Sequence, residues 1–159
     1  ACADVLGGVE VHFGDLPDMR LDDVPHVEVN TVIEEVCAVV EPDIVYTHSR
    51  REVNRDHVAV HDSTLVATRP DSDVKMVLAY QTPSSTEYAP KTTGFEPTLF
   101  VDITDHLDTK MKAFECYDLE MREYPHPRST KALRALARTH GTASGSEAAE
   151  AFDVLRMYA

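Results

Sequence analysis

The spacing of apolar residues divides the chain into alternating short strands and helices. Period-two alternation or short continuous apolar runs predict strands over residues 9–13, 44–47, 74–80 and 99–103. Helical spacing predicts helices over residues 27–40, 56–68, 104–124 and 129–140. The last segment, residues 152–158, fits either a closing strand or the end of a helix.

Boundary residues support several of these elements. Pro42 ends the first predicted helix, because proline cannot continue one. Thr104 is placed to cap the helix over residues 104–124, and Ser129 to cap the next one. Gly141 is the expected stop of that second helix.

Strands that alternate with helices predict an α/β layered fold with a mainly parallel sheet, here as a single domain over residues 1–159. Ligands of such folds bind outside the carboxyl ends of the strands. Three polar loops leave predicted strands, over residues 14–20 (GDLPDMR), 48–57 (HSRREVNRDH) and 81–88 (QTPSSTEY). We therefore expect these loops to form the functional rim.

Charge and cysteine content narrow the classes of function. The 28 acidic and 15 basic residues give a formal net charge of −13, which disfavours nucleic-acid and anionic membrane partners. The acidity fits either a solvated surface or adaptation to high salt. No apolar run approaches the roughly 20 residues of a membrane span, and no secretory signal is evident. The scattered Cys2, Cys37 and Cys116 favour reduced thiols and a cytoplasmic location.

The clearest candidate chemistry is at the start of the helix over residues 56–68. His57 lies in its first turn, where a neutral imidazole can bind zinc, and Asp56 could orient that ligand. His61 stands one turn further on, but this pair lacks the glutamate of a zincin motif. From spacing alone, a helix-surface or capping role for His57 remains open, and His61 is a weaker candidate.

Five segments, in order, resemble the LmbE/PIG-L family of zinc-dependent N-acetylglucosaminyl deacetylases. PDIVYTH followed by a polar loop and DH looks like the second metal motif of that family. GVEVHFGDLPDMRLD, TPSSTEY, the stretch that begins FVDITDHL and GSEAAEAFDVLR are similar to the regions around it. The resemblance therefore covers nearly the whole chain.

The resemblance implies a Rossmann-like three-layer fold and a hydrolase that removes acetyl from an N-acetylglucosaminyl glycoconjugate. The family holds Zn²⁺ through two histidines and one aspartate, and the metal activates water. His57 occupies the position of one metal ligand, and Asp56 matches the acidic residue just before it. The implied partner is an N-acetylated amino sugar.

Two departures from the family pattern matter. The H-P-D-D motif, which supplies the other ligands and the catalytic base, is absent, and the only His-Pro pair is His126-Pro127. The resemblance thus implies a chain that is N-terminally incomplete and inactive alone, unless a complementing N-terminal piece supplies the motif. Asn54 stands where an assisting histidine is common, so it could bind an oxyanion but not transfer a proton. His48 and His126 are candidates to substitute, or loop histidines with structural hydrogen bonds.

Further rim residues are candidates for sugar binding. Asp18 and Arg20 match a region that the family uses near the sugar, although Asp after Pro also suits a turn. Glu87 and Tyr88 could orient the sugar by a carboxylate and a stacking ring, or anchor the loop and cover the edge of the core. The alternatives are a non-catalytic carbohydrate-binding protein, a partner-completed subunit or a homo-oligomer of the same fold.

Overall fold

The computed structural model describes residues 1–90 and 94–158. The helices are α1 (Cys2–Val5), α2 (His26–Val40), α3 (Arg55–Ala67), α4 (Leu107–Glu115) and α5 (Thr130–Ser144). The strands are β1 (Ile44–His48), β2 (Met76–Tyr80), β3 (Leu99–Asp102) and β4 (Ala149–Met157). Single 3₁₀ turns cover Leu21–Asp23, Thr86–Tyr88 and Thr104–His106. The predicted strands over residues 44–47, 74–80 and 99–103 are confirmed within a few residues.

The four strands form one sheet in the order β1-β2-β4-β3. β1 and β2 are parallel, with Ile44 opposite Met76 and His48 opposite Tyr80. β4 is antiparallel to β2, with a bulge between Val77 and Leu78. The mixed α/β class is confirmed.

The prediction of a mainly parallel sheet is wrong, and the connections explain why. A single crossover helix returns the chain to its starting end, so β1, α3 and β2 give a parallel pair. Two helices, α4 and α5, lie between β3 and β4, and β4 enters the sheet in the direction opposite to β2. The bonds from Thr98 N to Phe152 O and from Ile103 N to Ala148 O accordingly run in antiparallel order.

The described residues form two compact units. The unit formed by His12–Thr98 and Phe152–Ala159 is centred on β2, whose Val77, Leu78 and Ala79 are buried. Within it α2 packs against α3, and Val29 is the buried residue of α2.

The unit formed by Ala1–Val11 and Leu99–Ala151 has its own apolar cluster. The cluster combines α4 and α5 with the residue that follows β3 and the residue that precedes β4. Its buried members are Ile103, Leu107, Met111, Leu133, Ala137 and Ala148. Phe114 packs against it. Leu107, Met111 and Phe114 follow helical spacing and form an apolar face of α4. Packing of this face stabilises the helix.

The predicted strand over residues 9–13 is wrong. The segment is not paired in the sheet, and its Val9, Val11 and Phe13 are 50%, 52% and 83% exposed. Alternation indicates a strand only when one face is buried, and these three apolar side chains are exposed.

The helix predicted over residues 104–124 is shorter than expected. Thr104 does not cap it: Asp102 Oδ1 accepts from the N–H and hydroxyl of Thr104, and α4 starts only at Leu107. α4 then ends at Glu115, because the residues beyond it have no buried stripe, as the 87% exposure of Leu119 shows.

α5 begins and ends through two different kinds of cap. Ser129 accepts from Ala132 N at 3.1 Å, which confirms the predicted N-cap. The helix passes through Gly141 and stops at Gly145, whose φ of 78° suits glycine. Gly141 is instead a close approach, because a Cβ there would lie 2.6 Å from Ser146 O. The predicted stop at Gly141 is therefore wrong by four residues.

The end of α2 and the last segment follow the sequence. Glu41, with φ of 50°, caps α2 immediately before Pro42. Residues 152–158 largely form a strand, which resolves the two alternatives. Within the described residues, no helix is both long and apolar enough to cross a membrane.

Replacing Met111 by alanine tests the cluster of α4 and α5. Met111 is 2% exposed, so we expect Met111→Ala to lower the free energy of unfolding by about 2–5 kcal/mol through the cavity it leaves. Leu119→Ala is the control and should change that free energy by less than about 0.5 kcal/mol. Equal losses in urea denaturation of the two variants would contradict the assigned core.

Candidate functional site

Two of the three predicted rim loops start side by side at one end of the parallel pair. β1 ends at His48 and β2 at Tyr80, and Ser49 N donates to Tyr80 O at 2.9 Å. Because parallel strands end at the same edge, the loops over residues 48–57 and 81–88 leave together.

The third loop joins them through the first turn of α3. Asn54 caps this helix, and its Oδ1 accepts from Asp56 N at 2.9 Å. Asp56 Oδ1 in turn accepts from Leu21 N at 3.1 Å, and Leu21 is buried. The carboxylate of Asp56 therefore fixes the end of the loop over residues 14–20 next to the helix start, as the convergence of rim loops predicts.

His57 lies where these loops meet. Its side chain is 21% exposed, and its ring stacks on His48 with centroids 4.1 Å apart and planes 16° apart. His57 Nδ1 is 3.3 Å from Glu52 Oε2. With Nδ1 engaged, only Nε2 is available to a metal or a substrate.

Glu52 is the residue of this site that the sequence analysis missed. Its side chain is fully buried, and its Oε1 accepts from Thr86 Oγ1 at 2.6 Å. Burial alone raises the pKa of Glu52, but hydrogen bonds from His57, Ser85 and Thr86 outweigh it and lower the pKa. In the sequence Glu52 is one charged residue within a polar loop, and no spacing rule marks it as buried.

His48 is a half-buried imidazole that stays neutral. Burial, followed by the charge of neighbouring His57, lowers the pKa of His48 to about 4. Its Nδ1 is buried and has no hydrogen-bond partner among the described residues. Tyr80 lies 5.0 Å away ring to ring, and burial raises the pKa of that phenol to about 12. His48 and Tyr80 therefore both stay uncharged beside His57 at neutral pH.

His61 has a structural role. It is 3% exposed, and its Nδ1 donates to the carbonyl of His48 at 2.7 Å. The bond fixes the end of β1 against α3. The burial of His61 favours this structural role over that of a second ligand one turn after His57.

The donor set fits a metal in part. His57, with one nitrogen held by a buried carboxylate, has the surroundings of a metal-binding histidine. Within residues 1–90 and 94–158, however, no three His, Cys, Asp or Glu side chains lie close enough together to hold an ion. These residues offer one oriented ligand rather than the three of a catalytic zinc site.

Asp18 and Arg20 lie on the exposed loop that flanks α3. Arg20 pairs with Asp23 at 3.0 Å, with both side chains about two-thirds exposed. Met19 Sδ is 3.8 Å from Asn54 Nδ2, and sulfur is a weak acceptor. The amide of Asn54 is thus only weakly committed on its donor side.

Glu87 and Tyr88 lie on the 3₁₀ turn after β2, and both are exposed. Thr86 anchors that turn: it is buried, its Oγ1 accepts from Thr82 N at 2.8 Å, and it donates to Glu52. Tyr88 is 59% exposed, which favours the stacking alternative over a cover for the edge of the core.

His126 belongs to the other compact unit. Its Nδ1 accepts from Arg128 N at 3.1 Å, which is a turn contact. Arg128 forms an ion pair with Glu120. A substrate role for His126 stays a prediction.

A family model matches the N-terminal part of the chain. The model of the GlcNAc-PI de-N-acetylase (PIG-L) family matches residues 1–68, which include the strand, loop and helix of this site. The resemblance inferred from the sequence is thereby confirmed over these residues. A search of curated proteins found no significant match.

Solved structures share the fold over almost the whole chain. The conserved protein TT1542 from Thermus thermophilus has a TM-score of 0.79 and 21% identity, over 99% of this chain and 71% of that one. N,N'-diacetylchitobiose deacetylase from Pyrococcus horikoshii has a TM-score of 0.74 and 19% identity, and the match covers 98% of this chain and 60% of that one. The A40926 pseudoaglycone deacetylase Dbv21 has a TM-score of 0.75 and 21% identity, and the match covers 100% of this chain and 69% of that one. At these identities the likeness shows the fold, and this chain spans 60–71% of those chains.

The neutral state of His48 predicts a loss of stability in acid. An unfolded histidine binds a proton near pH 6.5, but folded His48 does so only near pH 4, so the unfolded state takes up more protons between these values. The contribution of His48 is complete above pH 6.5 and falls by up to about 3 kcal/mol as the pH drops to 4. We expect His48→Asn to flatten that part of the stability profile in urea titrations. An unchanged slope of the unfolding free energy with pH would contradict the neutral state of His48.

Proposed function

From the match of residues 1–68 to the GlcNAc-PI de-N-acetylase family, we propose that this chain is the larger part of a zinc-dependent N-deacetylase. Its substrate would be an N-acetylglucosaminyl glycoconjugate, and the reaction would hydrolyse the acetamide to acetate and a free amine. Similarity to structures named as deacetylases of N,N'-diacetylchitobiose and of A40926 pseudoaglycone supports the class of substrate.

The observation that carries this proposal is the surroundings of His57. It lies in the first turn of α3, with Nδ1 engaged by Glu52 and its ring stacked on His48. A histidine held on one nitrogen and stacked on one face can offer the other nitrogen in a fixed direction. A surface or capping histidine would not need a fully buried carboxylate as its partner.

His57 Nε2 is the ligand that we assign to Zn²⁺, and the remaining ligands would come from outside residues 1–159. Bound zinc would lower the pKa of a water molecule and polarise the acetamide carbonyl. Asn54 Nδ2 would donate to the oxyanion that forms on that carbonyl. His48, as a neutral imidazole, would cover one face of the His57 ring without adding charge. Asp56 would support both groups by holding the helix start and the loop that ends at Leu21.

The exposed rim residues are assigned to the sugar. Asp18 can accept hydrogen bonds from sugar hydroxyls, and Arg20 can donate them. Tyr88 can stack on the apolar face of a hexose while Glu87 accepts from its hydroxyls, and both side chains are exposed to do so. His126, in the other compact unit, is also a candidate for substrate binding in this proposal.

The arrangement of the chain is part of the proposal. Residues 1–159 would act as one deacetylase domain that needs a complementing segment for activity and is inactive alone. The thiols Cys2, Cys37 and Cys116 are free, which agrees with a cytoplasmic location. Assembly with an N-terminal piece or a second copy is compatible with this account.

The decisive experiment compares this chain with the polypeptide that its gene encodes. We expect stoichiometric zinc and release of acetate from N-acetylglucosaminides only in the encoded polypeptide. His57→Ala should lower both zinc affinity and the rate of acetate release by at least about 100-fold. The control His106→Ala removes an exposed histidine and should change neither.

The same measurements distinguish the deacetylase from a non-catalytic carbohydrate-binding protein. Unchanged zinc content in His57→Ala would contradict the ligand assignment. Sugar binding without zinc and without acetate release, in both polypeptides, would favour the non-catalytic carbohydrate-binding protein.

Asn54 gives a second test, because its two roles belong to different atoms: Oδ1 caps α3, and Nδ2 is the proposed donor to the oxyanion. Asn54→Asp keeps the oxygen that caps α3 but loses the amide donor, so we expect unchanged stability and acetate release about 100-fold slower. Asn54→Ala should in addition lose about 1 kcal/mol of unfolding free energy. Full activity in Asn54→Asp would exclude the oxyanion role.

A further inference from the structure

The carboxylate of Glu52 connects two loops through its two oxygens. Oε2 meets His57 Nδ1 in α3, and Oε1 accepts from Thr86 in the turn after β2. Ser85 also hydrogen-bonds to it. The side chain is fully buried, and a buried carboxylate is retained only when donors satisfy it.

The direction of each hydrogen bond follows from the neighbouring contacts. Thr86 Oγ1 accepts from Thr82 N, so its own O–H points to Glu52 Oε1. An ionised carboxylate has no proton to give, so the bond at Oε2 requires His57 to carry its proton on Nδ1. In the neutral ring, the lone pair is then on Nε2.

We infer that Glu52 is the positioning residue that sets the tautomer of His57 and ties it to the turn carrying Glu87 and Tyr88. The consequence for metal binding rests on the proposed function, but the tautomer itself does not. One buried side chain thus makes the ligand nitrogen available and holds the sugar-binding turn beside it.

No other described contact of His57 can set this tautomer. Asp56, its sequence neighbour, directs Oδ1 to Leu21 N. His48 contacts the face of the ring through stacking, which favours neither nitrogen as the proton carrier. The role that the sequence analysis gave to Asp56 therefore falls to Glu52.

Replacing Glu52 by glutamine should invert the tautomer without changing the size of the side chain. The hydroxyl of Thr86 still donates, so it holds the amide oxygen in the position of Oε1. The amide NH₂ then faces His57 Nδ1, which must accept. The proton moves to Nε2, and the nitrogen assigned to the metal is blocked.

Nitrogen-15 NMR of the histidine rings measures this directly in the metal-free chain, at a pH where the His57 ring is neutral. We expect protonated Nδ1 and bare Nε2 in the wild type, and the opposite in Glu52→Gln. Glu35→Gln makes the same chemical change at an exposed position of α2 and should leave the His57 signals as they are. Protonated Nε2 in the wild type overturns the inference, even if Glu52→Gln does not fold. A folded Glu52→Gln variant in which His57 keeps its proton on Nδ1 also overturns the inference.

Zinc binding by the encoded polypeptide gives the second readout. Glu52→Gln should weaken zinc about 10–100-fold, whereas Glu35→Gln should not. Equal zinc affinity in wild type and Glu52→Gln would overturn the link between tautomer and ligand. If the encoded polypeptide binds no zinc and releases no acetate while the tautomer inverts, the proposed function fails and the control of His57 by Glu52 stands.

Discussion

The parallel pairing of β1 with β2 is the constraint on which the candidate site depends. It places the ends of both strands at one edge, where Ser49 N bonds to Tyr80 O. The two loops that follow must then share that edge, and α3 starts between them. An antiparallel pair would have sent these loops to opposite ends of the sheet, and Glu52 could not have reached Thr86.

The buried charge of Glu52 links the stability of this region to its chemistry. Desolvation of a carboxylate is costly, and Glu52 offsets it with donors from His57, Ser85 and Thr86. Each donor comes from a segment whose position is fixed by other contacts, such as the bond from Thr82 N to Thr86. The loops are therefore ordered around the charge, and the charge is stable only when the loops are ordered.

The sequence predicts those elements whose apolar faces are buried. β2 was found because Val77 and Leu78 are core residues, and α2, α3 and α5 followed from helical spacing. His57 was found from its place in a helix's first turn together with the family resemblance. In each case a local pattern and the tertiary environment agree.

The failures have a common physical cause, which is that partners distant in sequence decide the outcome. The alternation over residues 9–13 has no sheet neighbour among the described residues, so no strand forms. The direction of β4 depends on which strand it pairs with, and the apolar spacing of a strand does not report its partner. Glu52 is recognisable as a buried site residue only from its contacts in the fold, among them the one with Thr86, 34 residues further on.

The most direct test of the account is the position of zinc in crystals of the encoded polypeptide, measured by anomalous scattering at the zinc edge. The account predicts one strong peak within bonding distance of His57 Nε2, with Glu52 still on Nδ1. Full zinc occupancy elsewhere, with His57 Nε2 bonded only to protein or water, would contradict it.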